Sequence, residues 1–99
     1  MTLNIEVYKK LLKVPKGKIT TYGDLAKTMG LKNGQRAIGV IMKNNPFPVI
    51  IPCHRVVKSN GEVGGYAYGE KTKSNMLSKE GITIKCGKIL DFDKKKYFF

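Results

Sequence analysis

The sequence predicts a small, mainly α-helical domain built on a helix-turn-helix with short β-strands. Three observations predict it. Two short helical patterns are joined by a glycine-containing turn of about four residues. The β-prone runs between prolines and glycines are only two or three residues long. The chain has 99 residues, which allows one domain and a modest core.

The elements follow in order. From Asn4 to Val14, the residues Ile5, Tyr8, Leu11 and Leu12 recur at helical spacing, and Pro15 stops them. Pro15 to Lys18 is a turn, and Ile19-Thr20-Thr21 is short and β-prone. Thr21 is placed to cap a helix from about Tyr22 to Met29, which Gly30 ends. After a linker over Leu31–Gly34, a second helix runs from about Gln35 to Lys43 with an Ile38, Ile41, Met42 stripe. These two helices form the helix-turn-helix. Asn44 to Pro48 is a rigid loop, and Val49-Ile50-Ile51 delivers Pro52-Cys53-His54-Arg55. Val56-Val57-Lys58 reads as a strand, Ser59-Asn60-Gly61 as a turn, and Gly64 to Gly69 as a loop rich in glycine and tyrosine. Glu70 to Glu80 forms a third substantial helix with Met76 and Leu77 inward, ended by Gly81. Ile82-Thr83-Ile84 is a further short strand, and the tail 86–99 has no assigned place. A helix-turn-helix followed by short strands makes the domain winged-helix-like.

Composition narrows the function. Nineteen basic residues against seven acidic ones give a net charge of +12, with +7 in residues 1–50 and +5 in 51–99. The domain as a whole is basic, which favours polyanions and in particular nucleic acid. Lysine accounts for seventeen of the cations and arginine only for Arg36 and Arg55, so the planar guanidinium has a purpose at those two positions. No apolar run approaches the roughly 20 residues of a membrane span, and no signal peptide is expected at the N-terminus. Two cysteines, Cys53 and Cys86, make no disulfide framework and no metal-ligand spacing, so a reduced, cytoplasmic thiol protein without a metal is expected.

The chemistry points to Cys53. The one histidine of the chain, His54, follows it directly, and Arg55 comes next. A thiol beside basic groups loses its proton more readily, and the thiolate is the nucleophile. Adjacent side chains do not face each other in a helix or a strand, so contact between Cys53 and His54 needs a bent loop or a water. A buried inert thiol is the alternative. Small residues around Arg36, in Gly34-Gln35-Arg36-Ala37-Ile38-Gly39, permit close approach to a nucleic-acid groove or, equally, ordinary helix packing.

Read together, these segments resemble the active-site domain of the O6-alkylguanine-DNA alkyltransferases. Ile51-Pro52-Cys53-His54-Arg55-Val56-Val57 is similar to that family's Pro-Cys-His-Arg-Val signature. Thr21-Tyr22-Gly23-Asp24-Leu25-Ala26, Arg36-Ala37-Ile38-Gly39, Asn45-Pro46, Gly64-Gly65-Tyr66, and Lys73, Leu77, Glu80 and Gly81 resemble its other motifs in the same order. The resemblance spans roughly Val7 to Ile84. It implies repair of double-stranded DNA containing O6-alkylguanine, bound through the minor groove, by irreversible transfer of the alkyl group to Cys53 in a single turnover. It implies no cofactor, no membrane and a monomer. Arg36 would fill the place of the swung-out base, on a surface formed with Gly34, Gln35, Ala37 and Gly39. Glu80 would orient His54, His54 would take the Cys53 proton through a water, and Tyr22 would hydrogen-bond the guanine ring. Met42, Asn45, Val56, Tyr66, Ala67 and Tyr68 would form the substrate pocket, with Asn45 holding a turn and Tyr68 tightening the pocket against benzyl-type groups. Arg55 would brace the site through an ion pair. Gln35 departs from the small residue usual at that point, and Tyr68 stands where some members of the family have glycine. The family's N-terminal domain is expected to be absent, so that 1–99 is a single domain. The rival reading is a non-catalytic alkyltransferase-like protein, in which the reactive Cys is typically replaced by Trp. A major-groove transcription regulator is a second, weaker rival.

Overall fold

The computed structural model describes residues 2–32, 34–47, 50–66 and 68–99. In chain order the elements are α1 (Thr2–Leu11), β1 (Thr20–Thr21), α2 (Tyr22–Thr28), α3 (Gln35–Lys43), a 3-10 turn (Cys53–Arg55), β2 (Val56–Val57), α4 (Glu70–Lys79), β3 (Ile84–Lys85), β4 (Lys88–Ile89) and α5 (Phe92–Lys95).

α1 stops three residues earlier than its apolar spacing suggests. Pro15 disfavours helical geometry at Val14, and the chain turns through Val14 N–H to Leu11 carbonyl (3.0 Å). Val14 stays in the core beyond the helix. The buried stripe of α1 is Val7 and Leu11, with Tyr8 packed alongside, whereas Ile5 and Leu12 lie on the exposed side.

α2 starts and ends as its sequence dictates. Thr21 is extended, and its hydroxyl accepts from the Asp24 N–H at 2.9 Å. At the other end Gly30 takes φ +74°, Gly30 N–H bonds the Lys27 carbonyl, and Leu31 N–H bonds the Ala26 carbonyl. That pair of bonds is the Schellman ending that favours glycine. α3 buries Ile38, Ile41 and Met42 and leaves Gln35, Arg36, Ala37, Val40 and Lys43 facing outward. Gly34 is buried between the helices: a Cβ there would meet Leu31 Cβ at 2.6 Å and Ala26 Cβ at 3.1 Å. Its small size serves the α2–α3 packing.

β1 and β2 pair in parallel, Thr20 with Val56 and Thr21 with Val57. This pairing ties the segment leading into Tyr22 to the segment leaving Cys53. On one side of it lies a core of α1, α2, α3 and the Ile51–Val56 segment. On the other, Ile19, Val57, Val63, Leu77, Ile82 and Ile89 pack under α4 and the hairpin. α4 turns Lys73 and Leu77 inward, and Met76, expected there, is half-buried. The strand expected at 82–84 begins instead at Ile84, because the Ile82 N–H closes the end of α4 on the Leu77 carbonyl at 3.0 Å.

The tail 86–99 is ordered against the domain. β3 and β4 form an antiparallel hairpin whose two turn residues, Cys86 and Gly87, both have positive φ, the geometry of a tight hairpin turn. β4 continues against Gly61–Val63 through Ile89 N–H to Gly61 carbonyl and Val63 N–H to Gly87 carbonyl, which gives the domain its wing. After α5 the chain returns to β1, where Lys96 bridges Ile19 in parallel. Among the described residues no helix is long and apolar enough to cross a membrane.

Candidate active site

The 3-10 turn sets the geometry. Pro52 precedes it, and within it Cys53 and His54 are both buried, the imidazole almost completely. The bend resolves the sequence-level difficulty that neighbouring side chains diverge: one short turn places the thiol at a pocket and the imidazole behind it. The pocket holds about 390 Å3, with Tyr22, Met42, Cys53 and Tyr66 in its walls and Gly39 and Lys43 on the α3 side. Gly39 has open space where a Cβ would stand. Its lack of a side chain therefore leaves pocket volume.

Behind the thiol, a carboxylate organises two bases. Glu80 caps the C-terminal end of α4, where the helix dipole disfavours an anion. Its Oε2 lies 3.0 Å from His54 Nε2 and 2.7 Å from Arg55 Nη2, and its Oε1 accepts from Arg55 Nε at 2.9 Å. Arg55 Nη1 also donates to the Val14 carbonyl at 2.9 Å, which anchors the cluster to the end of α1. Burial is the largest influence on Glu80 and raises its pKa, but the hydrogen bonds and charges of Arg55 and His54 outweigh it, so the carboxyl titrates below its ordinary value. For His54 burial wins over the attraction of Glu80, and its pKa falls below 6.5. The imidazole is neutral at pH 7. A carboxylate only accepts, so the ring proton sits on Nε2 and Nδ1 keeps its lone pair. Nδ1 is buried with no hydrogen-bond partner among the described residues.

The pocket walls carry hydroxyls that stay protonated. Burial first, then the electrostatic influence of Cys53, raises the Tyr22 pKa. The same two causes, in the same order, help push Tyr66 up to about 12. Tyr66 hydroxyl neighbours Cys53 and is buried without a hydrogen bond of good geometry among the described residues. Tyr68 is exposed and stands edge-on to the Tyr66 ring, centroids 5.5 Å apart. It braces that wall from outside.

One residue at this site escaped the sequence reading. Lys73 is fully buried, and its ammonium donates to the carbonyls of Val56 (2.6 Å) and Gly65 (3.1 Å). It thereby joins the strand after Cys53 to the loop before Tyr66. It lies 5.7 Å from the centre of the Tyr22 ring. Burial lowers its pKa from 10.5 to about 8, against the opposing pull of Cys53 and Glu70. The only signal available in the sequence was its place in the Lys73–Leu77–Glu80 pattern, since a lone lysine on a polar helix reads as a solvated one.

The other expected residues fall into place as follows. Asn45 Nδ2 donates to the Ile51 carbonyl at 2.9 Å and its Oδ1 accepts from Phe47 N–H at 2.9 Å, so it shapes the loop between α3 and Cys53. Val56 is a core residue on β2 and offers the site its carbonyl. Gln35, Arg36 and Ala37 lie on the free face of α3, one helix turn from the pocket-lining Gly39. Ala67 lies outside the described residues, as do Pro48 and Val49 of the loop before Cys53. Among the described residues no group of three His, Cys, Asp or Glu side chains is placed to hold a metal.

A helix-turn-helix thus lies beside a pocket with a thiol on its wall, backed by a histidine–carboxylate–arginine cluster. The chain belongs to the 6-O-methylguanine DNA methyltransferase family: residues 2–82 match the model of that family's DNA binding domain. It is 41% identical over 81 residues to the methylated-DNA--protein-cysteine methyltransferase of Candida glabrata, a match covering 82% of this chain and 39% of that one. Against the enzyme of the same name from Saccharolobus solfataricus the identity is 42% over 80 residues, covering 81% and 51%. The chain thus spans about half or less of the length of these relatives. Among solved structures, Mycobacterium tuberculosis OGT in complex with DNA superposes with a TM-score of 0.79 at 34% identity, covering 82% of this chain and 49% of that one. S. pombe Atl1, in complex with damaged DNA containing O6-carboxymethylguanine, superposes with a TM-score of 0.85 at 27% identity, covering 97% and 94%.

Proposed function

We propose that this protein repairs DNA by moving the alkyl group of O6-alkylguanine onto Cys53. The observation that carries the reading is the 3-10 turn, which gives the pocket a thiol while seating neutral His54 on Glu80. The exposed face of α3 binds the duplex in the minor groove, Arg36 enters the stack, and the damaged base swings out into the pocket. Extrusion costs a few kcal/mol, less for a damaged base. The guanidinium replaces lost stacking and hydrogen bonds together.

The sulfur attacks the alkyl carbon as the carbon–oxygen bond breaks, and the electron pair stays on the guanine oxygen. The proton lost by sulfur passes through a water to Nδ1 of His54. Glu80 stabilises the resulting imidazolium. Tyr22, kept as a hydroxyl by its raised pKa, donates a hydrogen bond to the guanine ring and offsets the charge developing on the leaving base. The guanine ring nitrogen takes a proton through the Tyr22 hydroxyl, the proton held on His54 makes up that loss, and the base leaves neutral. The thioether on Cys53 has no thiol-reversible bond, so each molecule acts once. The protein works as a monomer and needs no cofactor.

Intact-mass analysis after mixing with duplex bearing O6-methylguanine tests this. One methyl on Cys53, and none on the Cys53→Ser variant, is the expected result. The close superposition on Atl1 over nearly the whole chain favours one second reading, lesion binding without transfer. Tight retention of damaged duplex with Cys53 unmodified would establish it.

A further inference from the structure

The family match ends at residue 82, and the site described above uses nothing beyond Glu80. The last residues nevertheless return to the segment that carries Tyr22. Ile19 N–H donates to the Lys95 carbonyl at 2.9 Å, and Tyr97 N–H donates to the Ile19 carbonyl at 2.7 Å. Lys18 Nζ donates to the Lys94 carbonyl at 3.0 Å. Two residues after Ile19, Thr21 caps α2, and Tyr22 is the first residue of that helix. The Lys96 ammonium reaches Oδ2 of Asp24, in the same first turn, at 3.0 Å.

This ion pair differs from an ordinary surface pair. The Lys96 side chain is only 22% exposed. Its backbone is fixed by the bridge to Ile19. Its ammonium lies 5.6 Å from the Phe92 ring centre and 5.9 Å from that of Phe98, so it is held by cation–π attraction as well. Little rotamer freedom is left to lose in making the pair, the usual reason exposed pairs are weak. Tyr97 packs against the main core beside it. The first turn of α2 is therefore gripped from two sides, by the Thr21 cap and by the tail.

We infer that the tail strand is a clasp that fixes Tyr22 over the pocket, with Lys96 as a positioning residue acting through Asp24. The inference rests on the proposed role of Tyr22 as hydrogen-bond donor to the leaving base. Small misplacements of such a donor cost rate steeply.

The test compares Lys96→Met, Lys96→Arg, Tyr22→Phe and the Tyr22→Phe/Lys96→Met pair. Each is mixed with duplex bearing O6-methylguanine over a range of concentrations, and Cys53 methylation is followed by mass. Lys96→Met should lower the rate at saturation about tenfold without moving the half-saturating concentration. Lys96→Arg should restore the rate. In the double variant the two losses should not multiply, because Lys96 acts through Tyr22. A rate unchanged in Lys96→Met, or losses that multiply, overturns the clasp. Hydrogen exchange at the Asp24 amide, which Thr21 holds, gives a readout that needs no reaction: it should accelerate in Lys96→Met and not in Lys96→Arg. If the parent chain is never methylated, the transfer reading fails, and that exchange measurement alone decides the clasp, unchanged exchange in Lys96→Met refuting it.

Discussion

Lys73 makes the stability of this protein depend on alkaline pH in a way that can be calculated. Its ammonium is buried and titrates at about 8 rather than 10.5. Between those values the folded chain has released a proton that the unfolded chain still holds. Stability therefore rises with pH across that window, because the unfolded state binds more protons there. With those two values, linkage gives a gain of about 1.3 kcal/mol between pH 7 and pH 9. The buried tyrosines act in the opposite direction, but their unfolded forms titrate near 10, so below pH 9 each subtracts less than about 0.1 kcal/mol. General relief of self-repulsion in a +12 chain also raises stability as lysines discharge. The Lys73→Met variant carries that background without the buried amine. The assay is urea unfolding of both proteins at pH 7 and pH 9, and the quantity is the difference between their pH increments. An excess of about 1 kcal/mol in the parent is expected. Parallel pH dependences would mean that Lys73 is not held as a desolvated cation, and the geometry described for it would be wrong.

Further outcomes follow from the site and the tail. Arg36→Ala should slow methylation of Cys53 by duplex DNA far more than by free O6-methylguanine base; an equal loss on both would remove Arg36 from base extrusion. Glu80→Gln should destabilise the fold by about 3 kcal/mol by leaving Arg55 without its partner, measured by thermal melting at pH 7. In the parent, stability should fall as pH drops through 6.5, because the unfolded chain protonates its histidine first, and fall again below 4.5 as Glu80 is neutralised; Glu80→Gln should lose the second decline. Tyr68→Gly should raise the rate with O6-benzylguanine relative to O6-methylguanine by loosening the Tyr66 wall, and an unchanged ratio would show that Tyr68 sets no size limit. Deleting residues 94–99 removes the bonds to Ile19 and the packing of Tyr97, about 2 kcal/mol or about 10 °C in Tm, and an unchanged melting temperature would refute the packing described.

The parts of this structure that were legible in the sequence are those decided locally. Thr21 and Gly30 bound α2 because a hydroxyl cap and a positive φ are properties of single residues. The α3 stripe followed from helical spacing. Cys53 and His54 are legible as the one histidine beside a thiol, whereas Glu80 enters only through the motif resemblance, and its meeting with His54 across the fold is an expectation that no periodicity supplies. What stayed hidden depends on partners far along the chain. Lys73 stands in the sequence only as a member of the Lys73–Leu77–Glu80 pattern, and its burial depends on two carbonyls contributed by other segments. Helical spacing picks out Ile5, Tyr8, Leu11 and Leu12 along α1, whereas the interior takes Val7 and Leu11 and leaves Ile5 and Leu12 exposed. Gly34 reads equally as groove-facing or helix-packing from the sequence, and the closeness of Leu31 and Ala26 shows the packing that decides its size. The tail had no readable pattern because its ordering comes from a bridge to Ile19 and an ion pair to Asp24.

The parallel register of β1 and β2 has a consequence for the newly made chain. Thr20 waits for Val56, thirty-six residues downstream, and β2 leads on from the turn that shelters the nucleophile. Closure of that span is entropically slow relative to local helix formation. Until it happens, Cys53 is an ordinary open thiol, as vulnerable to oxidants and electrophiles as Cys86 remains in the finished fold. Refolding in oxidised glutathione should therefore divert molecules into mixed disulfides at position 53, and the same reagent added after folding should find only position 86.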